Sequence, residues 1–295
     1  MSGTDDQRPA VLSRLRMPTP VLAALACPHC GADLAPDGNA LACAAGHTFD
    51  VARQGYVSLL TGRRRAAAPG DSAAMVQARH EFLAAGYFAP LARRLAAVVA
   101  GLAPEPGLVA DAGAGTGYYL SQVLDALPHA HGAALDLSVY ALRRAARAHP
   151  RAGAVACDAW RVLPLRSGSV GVLLNVFAPR NGPEFRRVLA GGGALVVVTP
   201  TARHLAELRE PLGLIRVDPH KEERIAESLA PDFVAEHHQE VSSPLRLDRA
   251  GVRTLVAMGP SARHADPVAL DRGVAALAEV TDVTAAWTVS VHRPA

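Results

Sequence analysis

The sequence predicts an α/β fold: a mostly parallel sheet with helices on both faces and an antiparallel closing strand, preceded by a small metal-held module. Three observations predict it. Short apolar runs over 107–111, 132–136 and 153–157 alternate with helix-like segments, the pattern of a βαβαβ core. An acid stands at the end of each run, Asp111, Asp136 and Asp158. Three of the four cysteines, Cys27, Cys30 and Cys43, crowd near the N-terminus, an odd set that is poor for disulfides and good for a metal.

Residues 1–20 mix Gly, Pro and charges without periodicity and read as a disordered lead-in. Residues 21–61 form the module, with the spacing Cys27-x2-Cys30-x12-Cys43-x3-His47. Three thiolates and an imidazole are the soft and borderline donors that Zn2+ takes in a tetrahedron. Four protein ligands close the shell, so the predicted site is structural and not hydrolytic. His29 competes with His47 as the fourth ligand. Gly31 and Gly46 stand where knuckle turns need them, and a ribbon this small is held by its metal because it has no core of its own. The stretch Val21–Cys27 superficially resembles a lipoprotein leader, but Pro18 and Pro20 break the run upstream and its apolar part is too short for a signal. Phe49–Leu60 reads as a short strand or as packing between the ribbon and the next segment of the chain.

Residues 62–100 read as a basic loop and linker helices. Arg63, Arg64 and Arg65 sit between Gly62 and Pro69-Gly70. Such a run is ordinarily a solvated loop, and the neighbouring ribbon in a basic chain raises contact with RNA phosphates to equal standing. Asp71 or Ser72 can cap a helix to about Ala85, ended by Gly86, and Tyr87–Ala100 reads as another.

Residues 101–295 carry the main domain, organised around Leu108–Gly117, LVADAGAGTG. An apolar strand reaches Asp111 and breaks into Gly113, Gly115 and Gly117 before a helix from Thr116. Side-chain-free positions allow a sharp turn and let a ligand lie against the main chain. A dinucleotide fingerprint, G-x-G-x-x-G, would need its third glycine at Tyr118, so that match fails. The D-x-G-x-G-x-G that stands here resembles motif I of the class I S-adenosylmethionine (SAM)-dependent methyltransferases, a Rossmann-like fold. Asp136 lies where the ribose-binding acid of such a sheet belongs, and Asp158 with the Ala159 amide is placed for the adenine edge.

The alternation continues with helix Val139–His149, strand Val170–Phe177, helix Pro183–Leu189, a turn at Gly191–Gly193 and strand Ala194–Thr199. Arg143, Arg144 and Arg147 read as an exposed helix face. Asn175 to Pro179 fall at the carboxyl end of a parallel strand, facing the crevice, so Asn175 and Pro179 are candidates for contact with the reacting groups. Beyond Pro200 come helices around 204–212 and 219–229, a strand over 233–247, a helix over 248–258, a loop over 259–267 and a last strand over 280–292.

At 295 residues the chain has room for one α/β domain plus a small module. Its formal net charge of +3 is too small to imply a polyanionic partner by itself. No run reaches the length of a membrane span, so the expectation is a cytoplasmic protein that contacts no membrane.

CPHC, C-x3-H, HTFDVARQGYVSLL, GDSAAMVQARHEFLAAGYFAPL, DAGAGTGYY, NVFAPRN and VAMGPSARH together resemble the 23S rRNA (guanine-N1)-methyltransferases with an N-terminal zinc ribbon, in particular their macrolide-resistance branch of tylosin- and mycinamicin-resistance type. The likeness runs from about Leu25 to Arg293. It implies a homodimer that uses SAM to methylate N1 of a guanine in a domain II hairpin loop of 23S rRNA. It also implies zinc ligands at Cys27, Cys30, Cys43 and His47, and cofactor contacts at Gly115, Thr116, Phe88 and His204. Phe88 replaces the tyrosine more usual in that family, so only a packing role carries over. The resemblance assigns no catalytic base. Two other readings stay open: a SAM-dependent enzyme acting on a small molecule such as a macrolide precursor, and a non-catalytic RNA-binding protein.

Overall fold

A computed structural model of the chain describes residues 14–61, 70–102, 107–214, 221–263 and 266–295. The Arg63–Arg65 loop lies outside the described residues. The N-terminal module holds α1 (Thr19–Ala24) and three short antiparallel strands, β1 (Ala35–Asp37), β2 (Ala40–Ala42) and β3 (Thr48–Asp50). After it come β4 (Val57–Ser58), α2 (Ala73–Ala84), α3 (Ala89–Leu102), β5 (Leu108–Ala112), α4 (Tyr118–Ala126), β6 (His131–Asp136), α5 (Val139–Ala145) and β7 (Ala152–Ala156). The chain continues through β8 (Val170–Val176), α6 (Gly182–Val188), β9 (Leu189–Pro200), α7 (Ala206–Leu212), α8 (Lys221–Leu229), β10 (Phe233–Asp248), α9 (Arg249–Met258), α10 (Pro267–Ala276) and β11 (Val280–Pro294).

Among the described residues, eight strands form one sheet in the order β10-β11-β9-β8-β5-β6-β7-β4. β11 pairs antiparallel with both neighbours, while β9, β8, β5, β6, β7 and β4 pair in parallel. This is the class I SAM-dependent methyltransferase fold with its one reversed strand. Chain order reverses at β5, which lies between β6 and β8, and that reversal opens a crevice at the carboxyl ends of the strands. β5 and β7 are buried at every position, as strands covered on both faces must be.

The sequence reading needs four corrections. The lead-in does not run to residue 20: Pro20 sits in the first turn of α1, where its fixed φ favours a helix and its missing N–H costs nothing, and Val21 is fully buried. The glycines at 191–193 are no free turn but an irregularity inside β9, where the pairing with β8 steps from Leu189 to Ala194. α10 occupies a stretch between the expected loop and the last strand; Asp266 caps it through the Val268 amide and Pro267 opens it, signals diluted by its weak apolar stripe.

The fourth correction concerns where the ribbon module ends, which the sequence places at residue 61. β4 leaves the module and pairs with β7 at the edge of the main sheet, Val57 opposite Val155. Leu25 bridges to Leu165, the Ala26 amide donates to the Pro164 carbonyl at 3.1 Å, and Arg166 pairs with Asp33 at 2.6 Å. Leu25, Leu41, Phe49 and Val51 share one apolar cluster with Val155, Leu173 and Val197. Gly153 permits this docking: a Cβ there would lie 2.6 Å from the Met17 side chain. Among the described residues no single helix is long and apolar enough to cross a membrane.

A shared core predicts cooperative unfolding. Leu25→Ala should cost about 2–5 kcal/mol, the usual loss for a fully buried leucine, and shift one transition in urea. Two separate transitions, with only the ribbon's affected, would contradict the shared core.

Candidate cofactor crevice and metal centre

The crevice is built on the turn between β5 and α4. The Gly113 and Ala114 amides donate to the Leu135 carbonyl at 2.8 and 2.9 Å, which locks the turn onto β6. Gly113 has φ 90°, and a Cβ placed on it would lie 2.3 Å from the Cβ of Ala178, so neither backbone nor space admits a side chain there. The Asp136 carboxylate accepts from the Gly115 amide at 2.8 Å and the Ser138 amide at 2.7 Å, one on each oxygen. Burial raises its pKa, and these two amides pull it back down. Thr116, next in the turn, is buried.

Asp111 is 1% exposed and its Oδ1 has no hydrogen-bond partner. Burial, then the nearby Asp136 charge, push its pKa up to about 8. An orphaned carboxyl under a glycine turn suits a cationic ligand, because a positive charge restores the ionised form. SAM carries a sulfonium and an ammonium, so the residues present fit it.

The other sequence candidates fall in two groups. Asp158 stays near the surface, its Oδ1 accepting from the Trp160 amide at 3.0 Å, with Ala159 beside it. Asn175, by contrast, is fully buried: its Nδ2 donates to the carbonyls of Ala112 at 3.2 Å and Pro179 at 2.8 Å, so it braces β8 against β5. It is a strut of the crevice wall through its Nδ2, while its Oδ1 is buried without a hydrogen-bond partner. Pro179 closes that strut through its carbonyl. Phe88 is 3% exposed and packs edge-on against Phe82 and Trp287, with ring centroids 5.1 and 5.0 Å away. His204 lies against the same rings, and its Nδ1 accepts from the Ala286 amide at 3.2 Å.

Arg79 escaped the sequence reading, whereas Phe177 lies within the 175–179 segment that the reading placed at the crevice. Arg79 of α2 pairs with Asp71, donates to the Met258 carbonyl at 2.8 Å, and lies 3.7 Å from where a Gly115 Cβ would stand. Its only signal was a position inside a helix read as a linker. Phe177 holds φ 55°, an uncommon conformation for a bulky residue, with its ring 43% exposed and edge-on to Tyr119 at 6.2 Å. Strain of this kind marks functional sites more than structural ones.

In the ribbon, the ligand atoms of Cys27, Cys30, Cys43 and His47 all lie within 4.8 Å of one another. Cys30 and Cys43 sulfurs are 3.7 Å apart, and His47 Nδ1 is 3.6 Å from the Cys27 sulfur and 3.3 Å from that of Cys43. A tetrahedral Zn2+ with ordinary bond lengths sets such separations at about 3.5–3.8 Å, so the donors fit the metal. Gly31 and Gly46, with φ 72° and 82°, turn the two knuckles. His29 stands outside the cluster, stacked on His47 at 4.8 Å and Phe49 at 5.9 Å.

Comparison with known proteins divides into the same two parts. Residues 25–65 match the zinc-ribbon family described as RlmA, N-terminal. The chain is 55% identical over 289 residues to a Micromonospora griseorubida protein assigned to 23S rRNA guanine-N1 methyl transfer, covering 92% of this chain and 97% of that one. It is 50% identical to the Streptomyces fradiae 23S rRNA (guanine(748)-N(1))-methyltransferase, covering 92% and 96%. This chain belongs to the 23S rRNA (guanine-N1)-methyltransferase family. Bacillus subtilis YxjB, assigned to the same reaction, is 31% identical over 62% of this chain and 67% of its own. Membership makes SAM the methyl donor, and the family match makes the N-terminal module a zinc ribbon.

Two outcomes test these sites. The folded pKa of Asp111 lies above its ordinary 3.8, so the folded state holds a proton that the unfolded state has lost, and stability falls as pH rises from about 4 to about 8. Asp111→Asn should flatten that slope in urea midpoints of ligand-free protein measured from pH 6 to 9; an unchanged slope would place the titration elsewhere. Elemental analysis should find one zinc per chain, lost in Cys30→Ser, and an undiminished content in that variant would contradict the ligand set.

Proposed function

We propose that this protein transfers the methyl group of SAM to N1 of one guanine in a domain II hairpin loop of 23S rRNA, and that the modification confers tylosin-type macrolide resistance. The observation that carries the reading is the junction of an orphaned, buried Asp111 with a glycine turn, in a chain half identical to a guanine-748 N1-methyltransferase along nearly its whole length. SAM when bound supplies an electrophilic methyl on its sulfonium. Asp111 answers the positive charge of the ligand, Asp136 offers its remaining lone pairs to the ribose hydroxyls, and Asp158 with the Ala159 amide addresses the adenine edge. Thr116 and Gly117 complete the turn, and Phe88 and His204 close the far wall of the site through packing.

Guanine N1 is protonated at neutral pH, so transfer requires alignment of N1 with the methyl and a path for the departing proton. The target base reaches the crevice only after leaving its stack. Phe177, strained and half-exposed beside Ala178, is the ring best placed to receive it. Cys27, Cys30, Cys43 and His47 hold zinc, which shapes the ribbon against RNA, with Arg63, Arg64 and Arg65 in contact with phosphates. The functional unit is a homodimer, which sedimentation at working concentration reads directly.

Methylation of 23S rRNA in vitro, mapped by primer extension, tests the proposal: one SAM-dependent stop at a domain II guanine is expected, and its absence, or a faster transfer to a macrolide precursor, would overturn it. Phe177→Asn, a residue that tolerates φ 55°, should keep the melting temperature within a few degrees while lowering kcat at least ten-fold; unimpaired transfer would remove Phe177 from the site.

A further inference from the structure

The rim of the crevice carries a pair of side chains that the cofactor site does not use. Trp160 is 66% exposed, whereas Trp287, the other tryptophan of the chain, is fully buried. The loop that presents it is not loose. The Trp160 amide donates to Asp158 at 3.0 Å, the Asn181 side chain donates to the Arg161 carbonyl at 3.1 Å, the Leu163 amide donates to Glu184 at 2.7 Å, and Arg187 donates to the Leu163 carbonyl at 2.8 Å. An indole held in water on a backbone tied at four points is pre-organised for a flat, apolar partner.

Arg180 stands next to this loop. Arg161, Arg166 and Arg187 each have an acid, Asp158 at 3.6 Å, Asp33 at 2.6 Å and Glu184 at 2.7 Å. Arg180 has neither an ion pair nor a hydrogen bond among the described residues, and it is partly buried, with burial alone lowering its pKa. A guanidinium cannot shed its charge under physiological conditions, so one that loses water without gaining a carboxylate suits an anion from outside the chain. The segment 178–181 also gives it an address. Ala178 abuts Gly113 of the cofactor turn, and Asn181 is bonded to the Trp160 loop, so Arg180 lies on the bridge between them.

We propose that Trp160 and Arg180 form a nucleotide clamp on the crevice rim, the indole stacking on an unpaired rRNA base next to the extruded guanine and the guanidinium binding a backbone phosphate. The inference rests on the rRNA substrate proposed above. RNA loops offer unstacked bases to aromatic side chains, and an arginine meets a phosphate through two parallel N–H bonds. The anion that Arg180 seeks has one other source, the carboxylate of SAM, and the test separates the two.

The experiment titrates the full-length, zinc-loaded protein with the domain II hairpin RNA. Quenching of tryptophan fluorescence should report Trp160, because Trp287 is out of reach. Trp160→Leu should lose the quenching and bind RNA about ten-fold more weakly, with Trp160→Phe close to the parent. Arg180→Ala should weaken binding and reduce the salt slope by about one, with Arg180→Lys intermediate. SAM affinity by calorimetry should stay unchanged throughout. Parent-like RNA affinity and salt slope in Trp160→Leu and Arg180→Ala, with the parent still binding and methylating the RNA, would overturn the clamp alone. Loss of SAM affinity in Arg180→Ala with RNA binding intact would give that arginine to the cofactor and overturn the clamp. A parent that neither binds nor methylates the hairpin would overturn both the clamp and the rRNA reading.

Discussion

One carboxylate holds the active region together. Asp136 ends β6 and accepts from the Gly115 amide of the cofactor turn on one oxygen and from the Ser138 amide at the start of α5 on the other. Through the Ser138 hydroxyl, which donates to the Asp71 carbonyl at 2.7 Å, the same node reaches the segment before α2. Asp71 then pairs with Arg79 and with Arg263 at 3.2 Å, and Arg79 binds the Met258 carbonyl at the end of α9. The turn, two helices and a distant loop are thus linked through one acid. Charge-assisted bonds of this kind are strong and directional, which suits a turn that must hold a ligand against bare backbone.

The ribbon's place is a matter of size. Its short strands cannot bury a core, so metal sets its local shape and the main sheet supplies its apolar partners. β4 closes the parallel edge beside β7. An exposed parallel edge invites unwanted pairing, and covering it with the chain's own segment removes that hazard. The consequence is geometric: the zinc module is tied by hydrogen bonds and packing to the same sheet whose strand ends open the crevice.

Much of the fold was readable because parallel strands leave a local signature. The runs at 107–111, 132–136 and 153–157 coincide with β5, β6 and β7 to within one residue at each end. The three thiolate donors were legible through spacing alone, since knuckle geometry ties sequence separation to distance. His29 and His47 could not be separated that way; the stacking of His29 on His47 and Phe49, a contact between side chains on opposite knuckles, separates them.

What the sequence determined by itself is therefore the local chemistry: which strands end in acids, where backbone must be bare, and which side chains can hold a soft metal. Those properties depend on neighbours a few residues apart. Tertiary structure alone decided that Asn175 braces the wall between the Ala112 and Pro179 carbonyls, that Phe88 sits in an aromatic core with Trp287, that Arg79 reaches Gly115 from a preceding helix, and that Asn181, next to Arg180, is bonded to the Trp160 loop. Each of these rests on a contact between segments far apart in the chain, and burial or charge pairing at such a contact has no trace in composition or spacing.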